Sequence, residues 1–335
     1  MSKLELNLPD DSKLTTKKGS TVLDIAKKIG TGLAEDTVGA LLDGEILDVR
    51  DQVNRSGDFK ILAIDSGSEK TNWVIRNTAS QILAHAVKEL FPTAKLVSGQ
   101  VVKDGFFYDF DTANGLSKDD FQRIKSEMDE IISSSHSIER FMLSVEEATD
   151  ELSKDYEIKN LRIMDGLRQK SKYPRNSYKL KQVKELREEK KSEVIFYQHG
   201  DFVDLTRGPH LPHTDYNELS HYKLLGVEKV YWEGKKDNPI LHRVYGTAFS
   251  QTPNLENYLQ KWKKENPLQK TKSRVFAEKS KWDHKIVRGP VLSGQGKLSK
   301  KLQGLGDLGW QLVDTQRHSI GGKQHAVCFL KRKRD

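Results

Sequence analysis

The chain has 335 residues, of which 31% are charged and 36% hydrophobic, and its formal net charge is +8. This length is enough for two or three domains with their own cores. The sequence contains no run of about 18 apolar residues, and its first residues resemble neither a signal peptide nor a presequence, so we expect a cytoplasmic protein that does not enter a membrane. The single cysteine, Cys328, excludes an intrachain disulfide and lies in an apolar, strand-like run typical of a buried position.

Basic charge is concentrated in the C-terminal part of the sequence. Residues 261–335 hold 19 Lys and Arg against 6 Asp and Glu, a balance of +13, whereas residues 1–260 have a balance of −5. This asymmetry predicts a module that binds a polyanion, and a solubilising, partly disordered tail is the alternative. Four consecutive basic residues at 331–334 are suited to phosphate contacts.

The first 64 residues predict a small domain with both strands and a helix. Alternating leucines indicate a strand at 3–8, and a turn at 9–12 leads into a second strand. The pattern then predicts a helix at 20–29 that ends at Gly30, strands at 40–42 and 59–63, and a tight turn at Asp43–Gly44. This β-β-α-β-β order resembles a TGS domain, a β-grasp module of threonyl-tRNA synthetases and some GTPases.

A polar linker at 64–71 is followed by a predicted helix at 73–91. Asn77, Gln81 and His85 are four residues apart and therefore share one face of this helix, where we expect His85 to be a packed polar residue. Further helices are predicted after Ser117 and at 158–170 and 254–265, and strands at 105–110, 194–197, 201–205, 227–233 and 242–249.

The segment Asp201-Phe-Val-Asp-Leu-Thr-Arg-Gly-Pro-His210 is the most informative part of the sequence. It resembles half of the editing site of threonyl-tRNA synthetases, whose pattern reads D-F-V-D-L-C-R-G-P-H. The other half in that family is H-x-x-x-H on a helix, and Asn77 and Gln81 stand at its two histidine positions. Thr206 replaces the cysteine and His210 is kept. The resemblance extends over residues 73–262 and implies an editing-type α/β domain with an antiparallel sheet and long helices.

In that family the cleft removes serine from mischarged threonine tRNA, which is the second step of a double sieve. The resemblance implies a catalytic set and a set that contacts the substrate. In the catalytic set, His210 is the base, Lys179 and Tyr108 donate to the ester, and Asp204 holds the amino group. The substrate-binding set is Asn77, Gln81, Thr206 and Arg207. If this cleft is active, the protein is an aminoacyl-tRNA deacylase; a vestigial cleft that only binds is the alternative.

We expect no metal and no cofactor at this site. Related alanyl-tRNA editing domains hold zinc with three histidines and a cysteine, and zinc prefers imidazole and thiolate ligands. Two amides, a hydroxyl and one imidazole form a poor set for that ion.

Residues 274–335 predict a third domain of β-α-β-β order, with its helix at 297–305 and a strand pair around 319–322. The motif at 309–313 resembles a small bacterial domain whose signature is G-W-E-L-V. We therefore predict an α+β protein with three domains, at 1–64, 72–265 and 274–335. The class II catalytic domain of a synthetase does not fit after residue 265, so we expect no aminoacyl-tRNA ligase activity.

Three functions follow from these resemblances. The first is a protein that binds the acceptor end of tRNA and hydrolyses mischarged Ser-tRNA in trans. The second is a non-catalytic RNA-binding or ribosome-associated protein, like a mitochondrial large-subunit ribosomal protein built from the same two modules. The third is a regulator that pairs with a synthetase.

Overall fold

The structure is a computed structural model that describes residues 2–153, 158–162, 168–171, 176–266, 282–290, 311–320 and 323–333. The chain forms two compact units, residues 1–256 and 257–335. The predicted boundary between the first two domains therefore lies inside one unit, and the division into three domains stays a prediction. No helix in the described ranges is long and apolar enough to cross a membrane.

Residues 3–63 form a mixed five-stranded sheet with two short helices against it. The elements are β1 (Lys3–Asn7), β2 (Lys13–Lys17), β3 (Ser20–Thr21), α1 (Val22–Ile29), α2 (Thr31–Asp36), β4 (Thr37–Leu42), β5 (Glu45–Leu47), β6 (Gln52–Val53) and β7 (Gly57–Ala63). The sheet order is β2-β1-β7-β4-β5, and only the β1–β7 pair is parallel. Leu6, Ile25 and Phe59 lie in the core of this part of the chain.

Helix α1 begins later than its sequence pattern predicts. Thr21, and not Ser20, is the N-cap: its hydroxyl accepts a hydrogen bond from the Asp24 amide, and the Asp24 carboxylate accepts one from the Thr21 amide. Ser20 and Thr21 instead pair with β6. The predicted turn at Asp43–Gly44 is confirmed, and both residues have positive φ, at 50° and 84°.

The rest of the first unit surrounds one long helix. Its elements are α3 (Glu69–Leu90), β8 (Lys95–Val102), β9 (Gly105–Asp111), α4 (Phe121–Ser133), β10 (Ile138–Ser144), α5 (Val145–Ser153), β11 (Ile158–Arg162), β12 (Arg168–Ser171), α6 (Ser177–Glu188), β13 (Glu193–His199), β14 (Phe202–Leu205), β15 (Tyr222–Tyr231) and β16 (Ile240–Ala248). Helix α7 (Thr252–Glu265) follows.

Helix α3 is buried along most of its length because it packs against other elements on several sides. It contacts α4 and the strands β8, β9 and β16 of the antiparallel sheet β15-β16-β9-β8. Even its polar residues are buried, among them Asn77, Gln81 and His85, which lie on one face as predicted. These side chains face protein and not solvent, so each needs a partner within the fold.

A second antiparallel sheet, β10-β13-β14, is covered by α5 and α6. Phe141 and Phe196 stack with ring centroids 5.5 Å apart in the core between them. The hairpin of β13 and β14 turns at Gly200 and Asp201, since His199 pairs with Phe202. Strand β14 thereby brings the predicted site segment beside this core.

The helix predicted at 158–170 is wrong. Residues of this segment form β11 and β12, which pair antiparallel with an irregularity between Ile158 and Leu161. Short apolar runs cannot be assigned to helix or strand from periodicity alone, and here the pairing between two neighbouring segments decides the outcome. The sequence pattern also missed α5 and α6.

Three strands are described in the second unit, residues 257–335. They are β17 (Trp282–Pro290), β18 (Gln311–Ile320) and β19 (Lys323–Lys333), which form an antiparallel sheet in the order β17-β19-β18. The predicted strand pair around 319–322 is confirmed, although both strands are longer than expected. The predicted helix at 297–305 lies outside the described residues, as does the burial of Cys328.

The pairing of β9 with β16 leaves no room beside Gly246. A Cβ atom at this position would lie 2.4 Å from the buried ring of Phe106 on the neighbouring strand. We expect Gly246→Ala to lower the free energy of unfolding by about 1–3 kcal/mol, the usual cost of overpacking a core. Urea unfolding measures the change. Gly226→Ala on β15 is the control, because nothing lies within 4 Å of its added Cβ, and equal losses in both variants would contradict the packing argument.

Candidate functional site

The predicted site residues of α3 meet the segment after β14 through side-chain amides. Asn77 Nδ2 donates hydrogen bonds to the carbonyl oxygens of Arg207 (2.9 Å) and Pro209 (3.0 Å). Gln81 Nε2 donates to Thr206 Oγ1 at 3.2 Å. Residues 130 positions apart are thus brought together as the sequence predicts, and the two amides brace the turn that leads to His210.

His210 is 1% exposed and lies behind this turn. Its ring packs edge-on against Tyr197, with centroids 4.5 Å apart, and its Nδ1 has no hydrogen-bond partner among the described residues. Burial lowers the pKa of His210 to about 3. His210 is therefore neutral at pH 7, because its charged form would be cut off from water.

Lys179, Asp204 and Tyr108 form a buried, mutually bonded cluster. Lys179 Nζ lies 2.7 Å from Asp204 Oδ1, and the Tyr108 hydroxyl donates to Asp204 Oδ2 at 2.6 Å. Lys179 also donates to the carbonyl of Leu205 at 2.9 Å. The side-chain oxygen of Asn176 caps α6 and fixes Lys179 in its first turn. A buried ion pair is tolerated when its geometry and hydrogen bonds are this complete.

Two of the eight predicted residues reach towards solvent. Arg207 is exposed and Thr206 is partly exposed, whereas the other six are buried. The predicted site therefore consists of a buried polar layer with a hydroxyl and a guanidinium at its outer side.

Two residues of the β-grasp part of the chain, Asp48 and Arg50, hold this turn, and no sequence pattern indicates them. Asp48 Oδ2 accepts hydrogen bonds from the His210 amide (3.1 Å) and from the Tyr197 hydroxyl (3.0 Å). Arg50 binds Asp48 Oδ1 at 2.8 Å and also donates to the carbonyl oxygen of Ile138. The contacts join residues 162 positions apart, so no local pattern in the sequence signals them.

Charge complementarity fixes Asp48 in its ionised form. Burial by itself raises the pKa of this carboxyl group, but the charge and hydrogen bonds of Arg50 outweigh burial and leave the pKa below its ordinary value. The same turn has no space for a side chain at Gly208, since a Cβ there would lie 1.9 Å from the Tyr197 hydroxyl oxygen. Asp48, Arg50 and Tyr197 thus determine the path of the chain into His210.

The four positions that hold zinc in related editing domains do not fit that ion here. Asn77 and Gln81 direct their NH2 groups at the oxygen atoms of residues 206–209, and an NH2 group has no lone pair for a metal. Only His210 offers a preferred zinc ligand, and its ring is enclosed by protein.

The pKa of His210 has a consequence for stability. Because the folded-state value of about 3 lies below the unfolded value of about 6.5, the unfolded chain binds more protons between these limits. The contribution of His210 is complete above pH 6.5 and is lost as pH falls through this window, with a slope of up to about 1.4 kcal/mol per pH unit.

We expect His210→Asn to flatten the dependence of unfolding free energy on pH between 4 and 6.5. Denaturant unfolding at several pH values checks this, with the partly exposed His213→Asn as control; an unchanged slope in His210→Asn would rule out a buried neutral imidazole.

Comparison with known proteins relates the first unit to two groups of sequences. Residues 6–61 match the family model of the TGS domain. The chain is 36% identical over 261 residues to a protein named threonine–tRNA ligase from Pelobacter propionicus. The matched region covers 78% of this chain and 37% of that protein. It is 37% identical over 255 residues to one from Caldanaerobacter subterraneus subsp. tengcongensis (76% and 36%), and 37% identical over 261 residues to one from Natronomonas pharaonis (78% and 36%).

The chain spans a little over a third of the length of the curated relatives that it matches. The resemblance inferred from the motifs is confirmed, and so is the α+β class. This protein carries a TGS domain and is homologous over about 78% of its length to the N-terminal part of threonine–tRNA ligases.

Proposed function

We propose that this protein binds the acceptor end of tRNA and that its editing-type site binds more readily than it hydrolyses. The observation that carries the proposal is the site on α3 and β14, in which the scaffold of a threonine–tRNA ligase homologue is kept while its acid–base groups are replaced or enclosed. The proposal rests on three features of that site: the hydrogen bonds of the Asn77 and Gln81 amides, the buried His210 and the exposed Arg207.

Ester hydrolysis needs a positioned water, a proton acceptor and donors for the oxyanion. Asn77 and Gln81 carry no titratable group, and their NH2 groups are occupied by the turn at 206–209. His210 is neutral at pH 7, but its ring is enclosed, so a water would have to enter a closed space to reach it. These features favour binding with slow or no turnover.

The groups at the outer side of the site suit a nucleic acid end. Arg207 is exposed, and its planar guanidinium pairs with phosphates or stacks on an unpaired base. Thr206 keeps a hydroxyl that donates and accepts hydrogen bonds, as a ribose requires. Both residues follow β14 directly; Asn77 of α3 bonds the Arg207 carbonyl, and Gln81 bonds the Thr206 hydroxyl. A rigid site of this kind binds without paying for loop ordering.

A second candidate function is the removal of serine from mischarged tRNA in trans. The bonded cluster of Lys179, Asp204 and Tyr108 favours it. An ion pair enclosed by protein costs desolvation energy, and such pairs are often retained where a charged ligand is recognised. In this function the amino group of serine takes the place of the Lys179 ammonium beside Asp204, and Lys179 and Tyr108 donate to the ester carbonyl.

Other partners remain within the same proposal. A ribosomal RNA or a synthetase would bind the same TGS and editing-type surfaces. The charge balance of +13 in residues 261–335 favours a nucleic acid over an acidic protein as the partner, because the phosphate charge of a nucleic acid is dense and regular. The basic part of the chain then supplies affinity, and the site on α3 and β14 supplies selectivity for an end.

Restoring the family's histidines and cysteine at positions 77, 81 and 206 tests whether their replacement slows hydrolysis at this site. We expect the wild-type chain to hydrolyse Ser-tRNA slowly, and the triple variant Asn77→His, Gln81→His, Thr206→Cys to hydrolyse it about 10²–10⁴-fold faster, the usual contribution of general acid–base catalysis. Release of labelled serine measures the rate, with Thr-tRNA as the comparison substrate. The control is the same triple variant with His210→Ala. Efficient hydrolysis by the wild type would contradict the binding proposal and favour trans-editing.

Binding of tRNA should depend on both parts of the chain in different ways. Replacing the basic residues at 331–334 by glutamine should flatten the dependence of log affinity on log salt by up to about 0.7–0.9 for each phosphate that the variant no longer binds. Removing the single-stranded 3′ end of the tRNA should weaken binding to both proteins by a similar factor. Fluorescence anisotropy at several salt concentrations measures both effects.

The control replaces four lysines of the net acidic part, at 3, 17, 27 and 60, by glutamine. Equal slopes for the two variants would assign the basic residues at 331–334 to solubility or another partner. Equal affinity for intact and shortened tRNA would contradict acceptor-end binding itself.

A further inference from the structure

One group of potential metal ligands, outside the site described above, includes two residues of α3 that lie about one and two turns beyond Gln81. His85 Nε2, Glu89 Oε1 and Asp201 Oδ1 all lie within 4.8 Å of one another. Nε2 of His85 is 3.7 Å from the Asp201 oxygen and 4.0 Å from the Glu89 oxygen. None of these residues belongs to the four positions compared with zinc-binding editing domains.

We propose that His85, Glu89 and Asp201 bind one divalent transition-metal ion of the zinc type. The site joins α3 to the tip of the β13–β14 hairpin, and the ion acts there as a cross-link.

The geometry of the backbone brings these three side chains together. His85 and Glu89 are separated by four residues and lie one turn apart on the same face of α3. Asp201 comes from the two-residue turn of the hairpin, in which Gly200 has a φ of 58°. A left-handed residue at this place lets the chain reverse within two residues, so Asp201 lies directly over the helix face.

The imidazole of His85 is held in a fixed orientation by packing. Its ring stacks on Phe202 at a centroid distance of 4.8 Å and meets the edge of His199 at 4.9 Å. The His85 side chain is 7% exposed, whereas that of Asp201 is 55% exposed. The site therefore has one rigid ligand at its base and accessible carboxylates at its opening, through which an ion can enter from solution.

The distances are close to those of a bound ion. Ligand atoms about 2.1 Å from zinc in a tetrahedral site lie roughly 3.4 Å apart. The two distances to His85 Nε2, 3.7 and 4.0 Å, need to shorten by a few tenths of an ångström, and the Asp201 and Glu89 oxygens, which lie within 4.8 Å of each other, by up to about 1.4 Å. Both side chains are exposed enough to do so by small rotations. Two carboxylates also place two negative charges beside one imidazole, and a divalent cation balances them.

Two further histidine rings lie near the three ligands. Nε2 of His136 lies 3.1 Å from the position that a Cβ of Gly200 would occupy, so its ring contacts the hairpin tip. His199 is fully buried behind His85, and its Nε2 has no hydrogen-bond partner among the described residues. Imidazole together with carboxylate favours zinc over magnesium or calcium, which prefer oxygen ligands alone.

Titration of the chelator-treated full-length chain with zinc sulfate, followed by calorimetry, tests the proposal. We expect one ion per chain, and a melting temperature about 5–10 °C higher when free zinc is 100 times the Kd. Asp201→Asn and Glu89→Gln should each weaken zinc binding at least about tenfold, and neither substitution removes packed apolar volume. Cobalt should bind at the same site and show the visible absorption of a low-symmetry complex.

Asp215→Asn is the matched control, because Asp215 also carries a carboxylate bonded to an imidazole, that of His213, at the surface. Its zinc affinity should equal that of the wild type. Absence of saturable zinc binding would overturn the proposal, as would binding that Asp201→Asn and Glu89→Gln leave unchanged, since the ion would then be held by other histidines.

Discussion

The contact of Asp48 and Arg50 with the turn before His210 is the constraint on which the candidate site depends. Residues 206–212 leave β14 and cannot use a strand ladder, so their buried amide and carbonyl groups need other partners. Asp48 accepts from the His210 amide, Arg50 contacts the His210 carbonyl, and Asn77 donates to the carbonyl oxygens of Arg207 and Pro209. The β-grasp part of the chain is therefore a structural component of the site, which explains why residues 1–256 form one compact unit.

The replacements at this site are chemically consistent with one another. An amide at position 77 donates two hydrogen bonds to carbonyl oxygens at once, which a neutral histidine with a single N–H cannot do. Gln81 and Thr206 also satisfy each other. The polar layer is thus largely self-satisfied, and this property favours a stable binding surface over a reactive centre.

Local patterns predicted the elements whose signals lie within a few residues. The spacing of Asn77, Gln81 and His85, the helix after Ser117, and the Asp43–Gly44 turn all agree with the structure. The segment at 158–170 failed because strand pairing overrides a weak helical period. The role of Asp48 and the enclosure of His210 arise from contacts across more than 160 residues, and the pKa of a buried imidazole depends on atoms that no sequence motif specifies.

The length of α3 has a mechanical consequence. Asn77 and Glu89 are twelve residues apart, which places them about 18 Å from each other along a rigid rod. If the rod pivots by about 5° where the β13–β14 hairpin touches it, the Asn77 end swings by roughly 1.6 Å. A displacement of that size breaks hydrogen bonds of 2.9–3.0 Å such as those to Arg207 and Pro209. The hydrogen bonds to Arg207 and Pro209 therefore hold the angle of α3 to within a few degrees, and the helix keeps two distant surfaces of the same unit in register.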